Sequence, residues 1–362
     1  MVIHALEYAK RPFKLASPTG RAAKRLAEAT GHPASTIHRL LGYAPDGGFA
    51  YDEDSQLEID MLIVDEASMI DLVLFYNLLK ALRPTTHLML VGDVDQLPSV
   101  GAGNVLRDVI NSGLAEVTRL ETIFRQSEDS LIIVNAHRVN HGEAPHLHNQ
   151  SSDFFFFKED DPERAADLLV DIVQNRLPAK FGVDPLNDVQ VIAPMYRGPA
   201  GVTALNDRLQ AALNGDRRMA EKRLGGKLFR VGDKVMQVRN NYEKEVFNGD
   251  IGRIYALDPD DSRIEVVIDG RYVEYDFSEA ADELTLAYCI STHRSQGGEY
   301  PVVVIPLLTQ HYMMLQRNLI YTAITRAKKT CVLVGAPRAI HMAVGNNKTV
   351  DRFSGLLGRL GK

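Results

Sequence analysis

Two short apolar runs, each ending in acids and set one helix apart, constrain this chain more than any other feature. Met61–Val64 ends in Asp65 and Glu66, within DMLIVDEASMID. The run LMLV at 88–91 ends in Gly92 and Asp93, with Gln96 close behind, within HLMLVGDVDQLPSV. Such unbroken runs read as strands buried on both faces, the habit of parallel sheets covered by helices. Ligands of those sheets sit outside the carboxyl ends of the strands, so the acids stand where a nucleotide-hydrolysing sheet needs them. A carboxylate at a strand tip can hold Mg²⁺, usually through water, and its neighbour can polarise an attacking water. Gln96 is long enough to sense a terminal phosphate. An Asp-Glu pair after a strand can also be a helix N-cap with a first-turn acid. The second acid-bearing strand, one strand–helix repeat downstream, argues against that simpler reading.

The usual partner of such an acid pair is a phosphate-cradling loop, G-x-x-x-x-G-K-[ST]. The sequence contains none: Gly226-Lys227 is followed by Leu228, and Gly361-Lys362 ends it. The opening MVIHALEYAKRPFKLASPTG reads as the back half of a helix and then a strand at 13–16. The expectation is therefore a sheet that starts inside the helix after the loop and lacks the strand feeding it.

The 362 residues suggest two to three domains with ample core. Apolar content of 45% and charged content of 24% are those of an ordinary soluble protein. No apolar run is long enough for a membrane span, and no signal peptide pattern opens the sequence. Cys289 and Cys331 both lie in apolar strand-like runs, which implies reduced, buried thiols and a cytoplasmic protein. A net charge of −6 argues against broad attraction to nucleic acid, but a local groove needs only the few cations that meet phosphates.

Strands and helices alternate from residue 13 to about 111, an α/β pattern with a parallel sheet. One interruption stands out. Residues 43–58, within GYAPDGGFAYDEDSQLEID, carry Gly47-Gly48 between aromatic-bearing runs and read as a hairpin. A second α/β series follows, with strands at 154–157 and 189–193 and helices at about 162–175 and 200–213. From 226 to 283 the texture becomes short alternating runs, KVMQVRN, GDIGRIYAL, RIEVVID and RYVEYDF, with turns at Asn248-Gly249 and Asp269-Gly270. That pattern predicts a small β-barrel inserted in the second α/β unit. The α/β pattern returns at Leu284.

Three further clusters lie downstream. ETIFRQ places Arg125 after a short strand; LAYCISTHRSQGGEY places Thr292, His293, Gln296 and Glu299 at a strand end; RNLIYTAITRAKK places Tyr321, Thr325 and Arg326 on a helix. Arginine suits developing charge on a transferring phosphoryl group, being always ionised and forked. The ordered set SPTGRAAKRL, ASTIHRLLGY, IVDEAS, VGDVDQLPSVGAG, IFRQ, STHRSQGGEY and YTAITRAK resembles the RecD-like DNA helicases of superfamily 1, over nearly the whole chain. The resemblance implies two RecA-like parallel-sheet domains that bind ATP between them, at 1–119 and at 120–225 with 284–362. It also implies a pin hairpin at about 43–58 and an SH3-like insert at 226–283.

By that resemblance, Asp65 is the Mg²⁺-associated acid, Glu66 the catalytic base and Gln96 the γ-phosphate sensor. Asp93 joins the nucleotide set, and Glu299 meets the ribose. Arg125 and Arg326 are arginine fingers. Pro18, Thr19, Gly20 and Arg21 grip the DNA backbone, with Thr36, His38, Thr292 and His293 as further contacts. The implied ligands are ATP, Mg²⁺, single-stranded DNA and single/double-strand junctions; the implied motion is 5′-to-3′. The absent phosphate loop is the departure, and it implies that this chain is inactive alone.

Other signals are weaker. Four histidines in AHRVNHGEAPHLHN fit no common zinc spacing and read as a solvated helix end. The Phe run at 154–157 reads as a buried strand rather than a stacking platform. Asn240, Asn241 and Tyr242 are explained by turn chemistry as well as by DNA contact. An alternative from another class is a non-catalytic single-stranded DNA-binding module. A nuclease using Asp65, Glu66 and Asp93 would leave the arginines idle.

Overall fold

The structure, a computed structural model, describes residues 1–44, 46–120, 130–216, 218–347, 352 and 354–361. It divides into two compact units, Met1–Glu121 with Val350–Lys362, and Thr122–Thr349.

In the first unit α1 (Val2–Tyr8) leads into β1 (Phe13–Ser17), α2 (Gly20–Thr30), β2 (Ala34–Thr36) and the single turn α3 (Ile37–Leu40). β3 (Met61–Val64), α4 (Leu72–Lys80), β4 (His87–Leu90) and α5 (Val105–Ser112) follow. The four strands are parallel in the order β2-β1-β3-β4. β3 is central and its Leu62 and Val64 are fully buried, as the unbroken apolar run requires. Leu62 and Val64 share one core with Ile37, Leu41, Leu74 and Leu78. Asp71 caps α4 by accepting from the Leu74 amide at 2.8 Å.

The hairpin expected at 43–58 lies between α3 and β3. Among the described residues one antiparallel bridge, Ala44 with Gly48, closes it and no longer strand pair is seen. The return limb is anchored to the fold instead. Gln56 donates to the Lys80 and Leu82 carbonyls at the end of α4, the Leu57 amide donates to Ala81, and Lys80 pairs with Glu53. Leu57 and Ile59 enter the core, which is why that limb does not project.

The second unit contains α6 (Leu131–Asn140), β5 (Phe154–Lys158), α7 (Pro162–Asp171), a π turn at Ile172–Arg176, α8 (Leu177–Phe181), β6 (Val189–Ala193) and α9 (Val202–Leu213). Then come β7 (Glu221–Leu224), β8 (Lys227–Arg230), β9 (Lys234–Gln237), β10 (Ile251–Asp258), β11 (Arg263–Ile268), β12 (Arg271–Asp276), α10 (Phe277–Glu283) and β13 (Leu284–Leu286). β14 (Cys289–Ser291), β15 (Tyr300–Leu307), α11 (Arg317–Ile324), β16 (Ala327–Gly335) and α12 (Pro337–Gly345) complete it. Five strands form a parallel sheet in the order β14-β6-β15-β16-β5. The insert is a separate antiparallel sheet, β12-β11-β10-β9-β13, preceded by the β7–β8 hairpin that begins before residue 226. Asp269 (φ 51°) and Gly270 (φ 77°) make the two-residue turn between β11 and β12, the left-handed pair that matches strand twist.

The insert shares its core with the α/β layer. Phe229, Val235, Ile254, Val266 and Tyr275 pack in one cluster with Val191, Leu205, Leu209 and Cys289. Asp233, fully buried at that junction, accepts from Asn214 and Tyr288 on one oxygen and from Gln210 and the Arg230 amide on the other. Burial pushes its pKa up against those hydrogen bonds.

A last short helix, α13 (Leu356–Leu360), packs on α5. The segment 350–362, expected with the second domain, therefore belongs to the first unit.

Candidate functional site

The carboxyl ends of the first sheet lie in one row. Ser17 pairs with Thr36, Ala16 with Val64, and Val64 with Leu90, so Pro18, Asp65 and Val91 leave the sheet on the same edge. The Asp65 amide donates to the Ala16 carbonyl (2.9 Å) and the Val91 amide to Val64 (2.8 Å). The two acid-bearing loops are then stitched together: the Ala67 amide donates to Val91 (2.8 Å) and the Ser99 amide to Ser68 (3.1 Å). Gly92 permits this closeness. A Cβ there would lie 3.0 Å from the backbone nitrogens of both Ala67 and Ser68 and 3.0 Å from Leu106.

Glu66 sits in left-handed backbone (φ 53°, ψ 39°) and heads the 3₁₀ turn Ala67–Met69 without capping it by its side chain. Its amide donates to Asp65 Oδ1 at 2.9 Å. Such backbone costs a non-glycine residue roughly 1–2 kcal/mol, so strain falls on the candidate base. Asp93 accepts from the Asp95 amide (3.0 Å) and from Gln96 Nε2 (3.2 Å), which orients the candidate sensor. Among the described residues no three His, Cys, Asp or Glu side chains cluster as a metal cage. Mg²⁺ needs no such cage when phosphate and water complete its shell. Asp65, one carboxylate at a strand tip, fits that arrangement and would hold the ion beside a bound nucleotide.

Arg352 was not signalled by the sequence. Its guanidinium donates to Ser99 Oγ (3.2 Å), the Gly101 carbonyl (2.6 Å) and the Gly103 carbonyl (3.1 Å), closing the loop that follows Gln96. No local pattern announces a contact about 250 residues away in sequence.

The expected DNA contacts of this unit carry local duties. Thr19 is the N-cap of α2, accepting from the Ala22 amide at 3.3 Å. Thr36 is the N-cap of α3 and only 3% exposed. Pro18 and Arg21 are half-buried, Gly20 is buried, and His38 is half-buried among aromatic rings.

In the second unit, Thr292 and His293 follow β14 at its carboxyl end. Thr292 is 1% exposed and its hydroxyl has no partner among the described residues; His293 is exposed. Tyr196, two residues beyond the β6–Pro194 junction, was also missed. Its hydroxyl meets Ser291 Oγ at 3.4 Å, and Arg294 lies 5.9 Å from its ring. The logic that singled out Asp65, a polar residue just past a buried strand, applies equally to Tyr196. Glu299 pairs with Lys328 at 3.3 Å. Thr325 and Arg326 lie just past α11 rather than on it, because the helix ends at Ile324 and β16 starts at Ala327. The Arg326 guanidinium is buried against the Thr322 and Gly298 carbonyls and Thr325 Oγ1. Arg125 lies outside the described residues.

Known proteins are similar to this chain in sequence. The RecD subunit of the RecBCD enzyme of Mycobacterium tuberculosis is 30% identical over 393 residues, covering 99% of this chain and 67% of that protein. This chain belongs to the RecD-like helicase family. The ATP-dependent RecD2 DNA helicase of Deinococcus radiodurans is 38% identical over 96% of this chain and 46% of its own length. The RecD subunit of Mycolicibacterium smegmatis is 32% identical, over 96% and 65%. The chain thus spans about half to two thirds of the curated relatives it matches. An AAA domain model matches residues 1–102, the SH3 domain model of ATP-dependent RecD-like DNA helicases matches 205–268, and a UvrD-like helicase C-terminal domain model matches 286–334.

Among solved structures, a Pif1 helicase described for unwinding at forked duplex DNA aligns with a TM-score of 0.54 at 20% identity, over 92% of this chain and 84% of that one. Bacteroides Pif1 with ADP-AlF3 and single-stranded DNA gives 0.52 at 20% identity, over 89% and 82%. At this identity the likeness is one of fold. This RecD-like chain accordingly has two RecA-like α/β units and an SH3-like insert.

Proposed function

We propose that this RecD-like chain is the motor of an ATP-dependent DNA helicase that moves 5′-to-3′ on single-stranded DNA, in repair or recombination. The observation that carries the reading is the stitched carboxyl edge of the first sheet, where Asp65, Glu66, Gly92, Asp93 and Gln96 lie on two loops held within hydrogen-bonding reach. In this reading Asp65 holds Mg²⁺, Glu66 draws the proton from the attacking water, and Gln96 reports the terminal phosphate. Arg125 and Arg326 are the fingers and Glu299 the ribose contact. The names of the relatives support ATP and DNA as ligands, and the RecBCD subunits among them support a multi-protein partner. Buried thiols at Cys289 and Cys331, both with pKa values pushed up by burial, suit a cytoplasmic protein. Among the described residues, no helix is long and apolar enough to cross a membrane.

Hydrolysis needs a backbone nest and a lysine at the β- and γ-phosphates, and the sequence holds no G-x-x-x-x-G-K-[ST]. The chain by itself is therefore expected to bind single-stranded DNA and to turn over little ATP. Phosphate release measured with and without single-stranded DNA tests this; turnover on the order of once per second or faster would sink it. With a segment carrying G-x-x-x-x-G-K-[ST] joined upstream, Glu66→Gln should abolish hydrolysis and keep nucleotide binding. Arg326→Ala should cost roughly 10³-fold if the guanidinium is a finger. The alternative, a non-catalytic DNA-binding module, is favoured by the same missing motif. It predicts that the joined protein also stays inactive.

A further inference from the structure

The excursion after α3 leaves and returns at one place. The Tyr43 amide donates to the His38 carbonyl at 2.9 Å, and the amides of Ala50 and Tyr51 both donate to Leu41 at 3.0 and 3.1 Å. Between those clamps Ala44 and Gly48 exchange two hydrogen bonds of 2.8 Å each. Three rings fill the enclosure. His38 stacks on Phe49 (centroids 5.9 Å, 30° between planes) and meets Tyr43 edge-on (5.4 Å, 80°); Tyr43 and Phe49 lie 5.0 Å apart. Phe49 continues onto the core of the unit, while Tyr43 is 43% exposed.

Charge decides what this surface can offer a nucleic acid. Residues 43–60 contain Asp46, Asp52, Glu53, Asp54, Glu58 and Asp60 and no lysine or arginine. Such a segment repels phosphate, so its attraction lies in the aromatic face, which bases stack on regardless of sequence. The imidazole itself is a poor phosphate ligand. Burial holds its pKa below the ordinary histidine value even though Asp71 pulls the other way.

We propose that His38 is a positioning residue whose ring locks the 43–49 turn onto α3 and so presents Tyr43 to bases at a single/double-strand junction. This rests on the DNA-motor reading and departs from the expectation that His38 is itself a DNA contact. Aromatic pairs contribute about 0.5–1.5 kcal/mol beyond their buried area, enough to hold a turn that has a single bridge.

The full chain tests it, as wild type, His38→Phe, His38→Ala and Tyr43→Ala. Two readouts apply: amide hydrogen exchange of residues 43–51, and affinity for a labelled oligo-dT and for a fork carrying the same single-stranded arm. His38→Phe should keep both, since a ring without nitrogens still stacks. His38→Ala should speed exchange by about tenfold, the scale of one lost aromatic pair. It should also lower the fork-to-single-strand affinity ratio about fivefold, matching Tyr43→Ala, as expected for one lost stacked base. Its affinity for the single strand should not change. If His38→Phe weakens single-strand binding as much as His38→Ala does, the imidazole is a DNA contact and the proposal fails. It also fails if His38→Ala leaves exchange and ratio untouched. Binding of neither DNA by the wild type would overturn the motor reading, and the exchange comparison would still decide the role of His38.

Discussion

Glu66 combines two properties that usually exclude each other: a side chain with a proposed chemical task and a backbone that favours glycine. The left-handed conformation costs a non-glycine residue roughly 1–2 kcal/mol, and glycine costs about 0.5–1 kcal/mol in lost chain entropy. The two nearly cancel, so Glu66→Gly should change urea-unfolding stability by no more than about 1 kcal/mol in either direction. A loss of several kcal/mol would show that the carboxylate, rather than the backbone, holds the turn. A second residue-scale prediction concerns His311, fully buried after β15 and accepting from the Leu308 amide through Nδ1. Burial lowers its pKa to about 4. As pH falls through the ordinary histidine value the unfolded chain takes up this proton first, so stability declines from about pH 6.5 towards pH 4 and levels off below. The full difference is on the order of 3 kcal/mol. Denaturation curves between pH 4 and pH 7.5 should therefore be flatter for His311→Gln than for the wild type. Parallel curves would remove His311 as the cause.

At the scale of elements, the same reasoning shows what sequence can and cannot convey. The run at 61–64 was legible because burial on both faces demands unbroken apolar residues. The run at 88–91, expected to be buried likewise, is the edge strand β4 with partly buried side chains and an exposed Val91. The acids after both announce a strand tip. The antiparallel insert was legible through alternation and through Asp269-Gly270, whose left-handed pair fixes the hairpin register. Within residues 43–58 Gly47-Gly48 signals the turn, while nothing local says that Gln56 and Leu57 fasten the return limb to α4. The hydroxyls of Thr19 and Thr36, expected as DNA contacts, each cap a helix, a duty that a threonine before a helix takes whether or not it also meets DNA. Gly92 is the element-scale test. Its hydrogen lets β4 and the 65–69 turn meet at backbone distance. Gly92→Ala must push two backbone nitrogens and Leu106 aside, at a cost of typically 1–3 kcal/mol for an overpacked site. The midpoint of urea unfolding measures this. A shift worth under about 0.5 kcal/mol, ordinary for a surface position, would mean that the two loops are free to part.

At the scale of the molecule, the chain crosses from the first unit to the second and then comes back. After α12 it rejoins the first unit, where Arg352 fastens the 99–103 loop and Leu356 joins the core around β3. The returning segment thus braces the loop after Gln96 within the first unit itself. Hydrogen bonds from a charged donor are worth about 1.5–3 kcal/mol each, though three that share one guanidinium do not add in full. Ending the chain after residue 347 should therefore destabilise the first unit by a few kcal/mol and leave the second unchanged. Hydrogen exchange followed by peptide analysis separates the two. Protection should fall in peptides covering β3, β4 and α5 and persist in those covering β5 and β6. Arg352→Ala should reproduce the loss around residues 99–104 while sparing α5, whose contact with α13 it leaves in place. Equal loss of protection in both units would show that the returning segment supports the molecule as a whole rather than the loop beside the candidate sensor.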